Sequence, residues 1–113
     1  MTGQILIVDD EDIVLRSCQR ILRDEGYGID VARDGFEALA LVGEKDYDVL
    51  VLDIMMPKMD GIEVLRRVKE SHPEIEVLMI TGLNEIGTAV QAMKLGAFDY
   101  LPKPFEPDDL KKA

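Results

Sequence analysis

Side chains able to do chemistry follow several short apolar runs of this sequence. Asp9 and Asp10 come after one run, Asp53 ends a second, Thr81 ends a third and Lys103 follows a fourth. If the runs are parallel strands, their carboxyl ends share one edge of a sheet, where polar groups of an open α/β fold gather. Three carboxylates, a hydroxyl and an ammonium group would then meet at that edge.

Three carboxylates held close together repel one another unless protons or a cation neutralise them. A small set of oxygen ligands favours Mg²⁺, which is usually held by one or two carboxylates together with a phosphate. With that ion in place, Asp53 can act as a carboxylate nucleophile toward a phosphoryl group. Lys103 would add positive charge at the phosphoryl oxygens and Thr81 would supply a hydroxyl donor.

Each of these residues also has a purely structural interpretation. Asp9 and Asp10 could cap a following helix, although Asp12 is better placed as the cap. A single acid at a strand end, such as Asp53, is commonly a turn residue. Lys103 could be an exposed turn lysine, and Thr81 a β-branched residue that closes a strand. The agreement of separate positions in order and type favours the chemical interpretation.

The elements that would position these residues follow from hydrophobic periodicity. Three of the apolar runs are nearly continuous in Val, Ile and Leu, as in strands covered on both faces of a parallel sheet. The predicted strands are Ile5 to Val8, Ile29 to Ala32, Val49 to Leu52, Ile75 to Ile80 and Phe98 to Leu101.

Amphipathic stretches between the runs predict helices. Gly26 and Gly96 follow the first and fourth stretches as helix ends, and His72-Pro73 closes the third. The apolar stripes are Val14, Cys18 and Ile21; Phe36, Leu39 and Ala40; Ile62, Leu65 and Val68; and Ile86, Ala89, Val90 and Met93.

The alternation predicts five βα units in one domain over residues 1–113. The fold class is α/β, a doubly wound parallel sheet with helices on both faces. The fifth helix has only Pro107 to Ala113 from which to form, so we expect a truncated last helix.

Charge and composition narrow the classes of partner. The 113 residues hold 13 basic and 23 acidic side chains, a formal net charge of -10, which disfavours direct contact with nucleic acid or anionic membranes. No apolar run approaches the roughly 20 residues of a membrane span. Cys18 is the single cysteine, and the N-terminus has no signal-peptide pattern. We therefore expect a cytoplasmic location.

Taken with their spacing, these motifs resemble the receiver domains of two-component response regulators, a CheY-like superfamily. The resemblance covers essentially the whole chain and implies a flavodoxin-like (βα)5 fold with strand order 2-1-3-4-5. The segments that carry it are Ile5-Leu6-Ile7-Val8-Asp9-Asp10-Glu11, Val51-Leu52-Asp53-Ile54-Met55-Met56-Pro57, Met59-Asp60-Gly61, Ile80-Thr81-Gly82 and Gly96 to Phe105.

The resemblance also implies roles for individual residues. Asp53 would accept a phosphoryl group from the phosphohistidine of a sensor histidine kinase. Asp10 and Asp53 would bind Mg²⁺ directly, Asp9 would bind it through water, and the backbone carbonyl of Met55 would complete the protein ligands. Lys103 would pair with the phosphoryl group.

In the same family, Thr81 and Tyr100 would report phosphorylation by moving toward the site. The face made by the fourth helix, fifth strand and fifth helix would then carry the change to an output domain or partner, with homodimerisation as one outcome. Met55 and Leu83 lie two residues beyond the phosphoacceptor and the switch threonine. Because neither side chain can orient an attacking water, we predict slow self-dephosphorylation, which Asn and Glu at these positions should accelerate.

Other functions remain open at this point. The output could be transcription, but receivers of hybrid histidine kinases and stand-alone phosphorelay proteins look similar. A phosphatase or phosphotransferase with an aspartyl-phosphate intermediate would usually have an acid two residues after the nucleophile, where this chain has Met55. A flavin-binding electron carrier would need a Ser/Thr/Gly-rich loop after the first strand, where acids stand instead.

Overall fold

Strands and helices alternate along the chain in the computed structural model, which describes residues 3–24, 26–54, 59, 61–81, 86–97 and 99–102. The predicted fifth helix, Pro107 to Ala113, lies outside these residues. The elements are β1 (Gln4–Val8), α1 (Asp12–Arg23), β2 (Gly28–Ala32), α2 (Gly35–Glu44), β3 (Val49–Asp53), α3 (Gly61–Ser71), β4 (Glu76–Thr81), α4 (Ile86–Lys94) and β5 (Asp99–Pro102).

All five strands form one parallel sheet in the order β2-β1-β3-β4-β5, which confirms the predicted topology. The register places Ile7 of β1 between Val31 of β2 and Val51 of β3. Because the chain reverses direction of winding after β2, the carboxyl ends of β1 and β3 lie side by side at the switch point, where α/β folds form their sites.

The two faces of the sheet form separate apolar cores, because successive side chains of a strand point to opposite sides. Helix α1 covers one face, where its buried residues pack on Ile5 and Ile7. Helices α2, α3 and α4 contribute to the other face, which includes Leu6 and Leu50. The predicted helices on both faces are therefore confirmed. No helix among the described residues is long and apolar enough to cross a membrane.

Helix rotation differs in part from the sequence prediction. In α1, Leu15, Cys18 and Leu22 are buried, whereas the expected Val14 and Ile21 are only half-buried. Residues with similar spacing can form two adjacent stripes, and periodicity alone does not say which one faces the sheet.

Helices α2 and α4 also differ from the prediction, and Phe36 of the expected α2 stripe is 56% exposed. Met79 of β4 is buried as expected, but Met93 of α4 is 39% exposed and Val90 is 48% exposed, so the prediction of a core position for Met93 was wrong. Among the α4 side chains that the structure describes, the small one of Ala92 is buried. A small residue on the inner side lets the helix lie close to the sheet, with Val90 and Met93 on the outer side.

The helix ends follow the expected chemistry with one correction. Gly26 and Gly96 have φ of 90° and 107°, the left-handed conformation that ends helices. The Asp34 carboxylate accepts a hydrogen bond from the Glu37 amide at 2.9 Å and caps α2. The prediction that Asp12 caps α1 was wrong, because Asp12 is the first helical residue and Glu11 occupies the N-cap position.

Asp12 instead pairs with Arg33, which follows β2. The hydrogen bond from the Arg33 guanidinium, and then its charge, lower the pKa of the Asp12 carboxyl. Both side chains are largely exposed, so this ion pair contributes little to stability. It ties the first turn of α1 to the end of the edge strand.

A second polar cluster lies beside β2. The Asp30 carboxylate accepts hydrogen bonds from Lys45 Nζ at 2.6 Å and from the Tyr47 hydroxyl at 2.7 Å. These two bonds lower the pKa of Asp30, with the Lys45 bond having the larger effect. Burial, followed by the hydrogen bond to Asp30, raises the pKa of Tyr47 well above its usual range.

Tyr47→Phe is expected to lower the free energy of unfolding at pH 7 by about 1–2 kcal/mol, because a hydrogen bond to a carboxylate is lost. Since the folded-state pKa of Tyr47 lies above the unfolded value, stability from its protonated form is present below about pH 10 and is lost as the pH rises further. Urea unfolding at neutral and alkaline pH measures both effects.

The matched control is Tyr27→Phe, which removes the hydroxyl of a tyrosine that is 40% exposed. The alkaline loss of stability should be smaller in Tyr47→Phe than in the wild type and unchanged in Tyr27→Phe. Equal alkaline slopes in all three proteins would contradict the assignment.

Candidate functional site

Two carboxylates are buried side by side where β1 and β3 end. The last paired residues of these strands are Val8 and Leu52, and each is followed directly by an aspartate, Asp9 and Asp53. The exposed fractions of Asp9 and Asp53 are 0% and 3%, and they are the buried acidic residues of the part of the chain described here. Two buried carboxylates side by side are costly unless hydrogen bonds and positive charge compensate them, so their position favours the binding of a cation.

Two further acids extend this pair toward solvent. Carboxylate oxygens from Asp9, Asp10, Glu11 and Asp53 all lie within 4.8 Å of one another. Asp10 and Glu11 are exposed, so the cluster has a buried floor and an open mouth. The structure therefore brings together the three acids that the sequence predicts, and it adds Glu11. The sequence shows Glu11 directly after Asp9 and Asp10, but sequence reasoning gave it no role of its own.

Backbone hydrogen bonds hold the turn that carries these acids. The Asp9 amide donates to the Ala32 carbonyl of β2 at 3.1 Å, and the Glu11 amide donates to Asp9 Oδ1 at 2.9 Å. The Leu15 amide donates to the Glu11 carbonyl at 3.1 Å as α1 begins. The turn is thus joined to the sheet on one side and to a helix on the other.

The end of β3 is held by α3. The Ile54 amide donates to the Ile80 carbonyl at 3.1 Å, and the Gly61 amide donates to the Ile54 carbonyl at 2.8 Å. A Cβ atom at Gly61 would lie 2.2 Å from the carbonyl oxygen of Asp53 and 2.7 Å from the Cα of Ile54. Only glycine permits this close approach, which fixes the backbone under Asp53.

For the other predicted site residues, the structure gives either the backbone position alone or nothing, where the residue is not among those described. Thr81 ends β4, whose preceding residue Ile80 pairs with Asp53, so Thr81 lies at the same edge of the sheet. Tyr100 lies in β5 opposite Met79. Lys103, Met55 and Leu83 lie outside the described residues, and their predicted roles stay predictions.

The cluster fits a hard divalent cation by its chemistry and its size. All four donors are carboxylate oxygens, the ligands that Mg²⁺ and Ca²⁺ prefer. Two ligands on opposite sides of Mg²⁺ are about 4.2 Å apart, so a spread of up to 4.8 Å suits one ion with some ligands bound through water. The residues present therefore fit the Mg²⁺ site that the sequence predicts.

Comparison with known proteins agrees with this fold. The family model described as response regulator receiver domain matches residues 5–113. The chain therefore belongs to the response regulator receiver domain family, the receiver module of two-component signalling.

Individual relatives support the same assignment. Response regulator MprA of Mycobacterium bovis (strain BCG / Pasteur 1173P2) is 40% identical over 110 residues, which are 97% of this chain and 48% of that protein. The chain thus spans about half the length of the curated relatives it matches.

Solved structures are equally similar. The receiver domain of NtrX from Brucella abortus has a TM-score of 0.93 and 39% identity, covering 96% of this chain and 92% of that domain. A response regulator receiver domain protein from Clostridium thermocellum has a TM-score of 0.93 and 35% identity, covering 97% of this chain and 89% of that chain. These matches confirm the flavodoxin-like, CheY-like architecture.

Proposed function

We propose that this receiver domain is a phosphorylation-controlled switch in which Asp53 accepts a phosphoryl group from a sensor histidine kinase. The observation that supports it best is the buried Asp53 carboxylate within 4.8 Å of three further acids at the switch point of the sheet. Such a site attracts a divalent cation, and a carboxylate beside a bound cation can act as a nucleophile toward a phosphoryl group.

The proposed transfer moves one phosphoryl group between two protein side chains. A carboxylate oxygen of Asp53 attacks the phosphorus of the donor phosphohistidine, a P–O bond forms, the P–N bond breaks and the imidazole nitrogen keeps the electron pair. Asp10 and Asp53 would hold Mg²⁺ directly, with Asp9 acting through water and Met55 through its carbonyl. When bound, Mg²⁺ supplies positive charge that offsets the negative charge of the phosphoryl oxygens.

The remaining residues would hold and report the phosphoryl group. Lys103 pairs with its oxygens, Thr81 donates its hydroxyl, and Tyr100 turns inward behind Thr81. The face formed by α4, β5 and the predicted fifth helix then changes its fit to a partner. In this role the domain is a signalling module, and its chemistry is limited to its own phosphorylation and dephosphorylation. The slow decay expected from Met55 and Leu83 belongs to the same proposal.

The partners follow from this role. The phosphodonor is a sensor histidine kinase, and the recipient is an output domain or a downstream protein, with homodimerisation after phosphorylation as one route. Transcription regulation is one output that we propose, since the chain spans only about half the length of the relative Response regulator MprA, which leaves room for an output region in such a protein. The net charge of -10 disfavours direct contact of this domain with nucleic acid or an anionic membrane, so we propose that it acts through proteins. The location that we propose is the cytoplasm. We also propose that residues 1–113 belong to one receiver domain.

Phosphoryl acceptance can be tested with a small-molecule donor. The protein is incubated with acetyl phosphate and MgCl₂, and intact mass is measured. We expect one alkali-labile phosphoryl adduct in the wild type and none in Asp53→Asn. The matched control, Asp46→Asn, makes the same change at an exposed aspartate just before β3 and should keep the adduct. An adduct in Asp53→Asn, or steady turnover of a phosphate ester by the wild type, would contradict the proposal.

A further inference from the structure

Glu11 is a fourth carboxylate at the site, and the family assignment gives it no role. One of its oxygens lies within 4.8 Å of oxygens from Asp9, Asp10 and Asp53. Asp9 and Asp53 form the buried floor of the cluster, whereas Glu11 is exposed at its mouth. From this position the Glu11 charge can act both on a bound cation and on a phosphoryl donor that approaches the site.

Hydrogen bonds fix both the amide and the carbonyl of Glu11, so the point from which its side chain extends is fixed. Its amide donates to Asp9 Oδ1 at 2.9 Å, and its carbonyl accepts from the Leu15 amide at 3.1 Å. As the N-cap residue of α1, it has an extended conformation with φ of -98° and ψ of 116°. The next acid along the chain, Asp12, is directed to Arg33 and is not a member of the cluster.

Charge gives Glu11 two opposite effects. A fourth carboxylate strengthens the attraction for a divalent cation, because Coulomb energy adds over all ligand charges. With a divalent cation bound and the proposed Lys103 ammonium counted, four negative charges still face three positive ones, so an excess of negative charge stays at the mouth, where an anionic phosphoryl donor must approach. The same charge that favours the cation therefore opposes the phosphoryl group.

We propose that Glu11 is a specificity-determining residue of the acidic site, which increases the affinity for a divalent cation and slows entry of the anionic phosphoryl donor. The second part rests on the proposed function, whereas the first concerns the metal alone. The Glu11 charge thus raises the occupancy of the metal site and lowers the rate of phosphorylation.

The test is Glu11→Gln, which removes the charge and keeps the size of the side chain. Titration of ¹⁵N-labelled protein with MgCl₂, followed by NMR, should give a dissociation constant roughly three- to tenfold higher than in the wild type. At saturating MgCl₂, phosphorylation by acetyl phosphate should be about threefold faster. Added NaCl should reduce both differences, because salt screens exposed charges.

The matched control is Asp12→Asn, which makes the same change in net charge one residue later, outside the cluster. It should keep the wild-type Mg²⁺ affinity and phosphorylation rate. A merely structural role of Glu11 would weaken Mg²⁺ binding and slow phosphorylation together, and that result would overturn the inference. Wild-type Mg²⁺ affinity in Glu11→Gln would overturn it as well.

Failure of this inference is distinguishable from failure of the proposed function. If the wild type is phosphorylated on Asp53 but Glu11→Gln behaves as the wild type, only the role of Glu11 is refuted. If no protein forms an adduct but Glu11→Gln binds Mg²⁺ more weakly, the metal role of Glu11 is supported and the phosphoacceptor function is refuted.

Discussion

Gly61→Ala is expected to lower the free energy of unfolding by about 2–4 kcal/mol, a large effect for one methyl group. The added Cβ would lie 2.2 Å from the Asp53 carbonyl oxygen and 2.7 Å from the Ile54 Cα. Both are backbone atoms in or next to a central strand, so neither can move aside as a flexible side chain would. Helix α3 must shift away from the end of β3 to remove the overlap.

Urea unfolding of Gly61→Ala measures this loss, and Gly43→Ala is the matched control. Gly43 lies in α2 with no atom within 4 Å of an added Cβ. There the higher helix propensity of alanine should raise stability by about 0.5–1 kcal/mol. Similar effects at the two glycines would show that α3 does not press against β3.

The same substitution should also impair the site. The carbonyl that the new methyl group would displace belongs to Asp53, whose carboxylate is the proposed phosphoacceptor. We therefore expect weaker Mg²⁺ binding and slower phosphorylation in whatever fraction of Gly61→Ala is folded. Gly43→Ala should retain wild-type values.

Asp53→Asn is expected to raise the free energy of unfolding in metal-free buffer by about 1–2 kcal/mol. The change removes one of four carboxylates held within 4.8 Å of one another, while the amide keeps the shape of the side chain. In the wild type, MgCl₂ at ten times the dissociation constant of Mg²⁺ should raise the free energy of unfolding by about 1.4 kcal/mol. Asp53→Asn should lose most of that gain because its affinity for the ion is lower.

Urea unfolding with and without MgCl₂ gives these four free energies, and Asp46→Asn is the control for net charge. Asp46 is exposed near the opposite end of β3, so its replacement should leave both the metal-free stability and the Mg²⁺ gain unchanged. A less stable Asp53→Asn in metal-free buffer would mean that the cluster is not under electrostatic repulsion.

Much of this architecture could be predicted from the sequence, because its signals are local and strong. Continuous apolar runs located the strands, and Gly26 and Gly96 marked helix ends that do have positive φ. Strand order came from the family resemblance. Once strands are parallel and adjacent, acids at their ends must converge, and this is why Asp9, Asp10 and Asp53 could be grouped in advance.

Other features depend on packing that the sequence does not display. Met93 continues an apolar stripe, but α4 turns Ala92 inward because the small residue allows the closer approach. Asp12 looked like the better cap, yet Arg33, distant in sequence, pairs with it after folding. Glu11 resembled any surface glutamate until the turn brought its carboxylate to the other three.

The cluster of Asp30, Lys45 and Tyr47 affects how readily the edge of the sheet can pair with another strand. Asp30 is the central residue of β2, and β2 is an edge strand whose outer backbone groups could accept another strand. If two copies paired antiparallel about Asp30, their carboxylates would face each other, and like charges opposite one another disfavour pairing. Lys45 and Tyr47 keep this carboxylate ionised and fixed in position, and charged side chains on an edge strand disfavour its pairing with another strand.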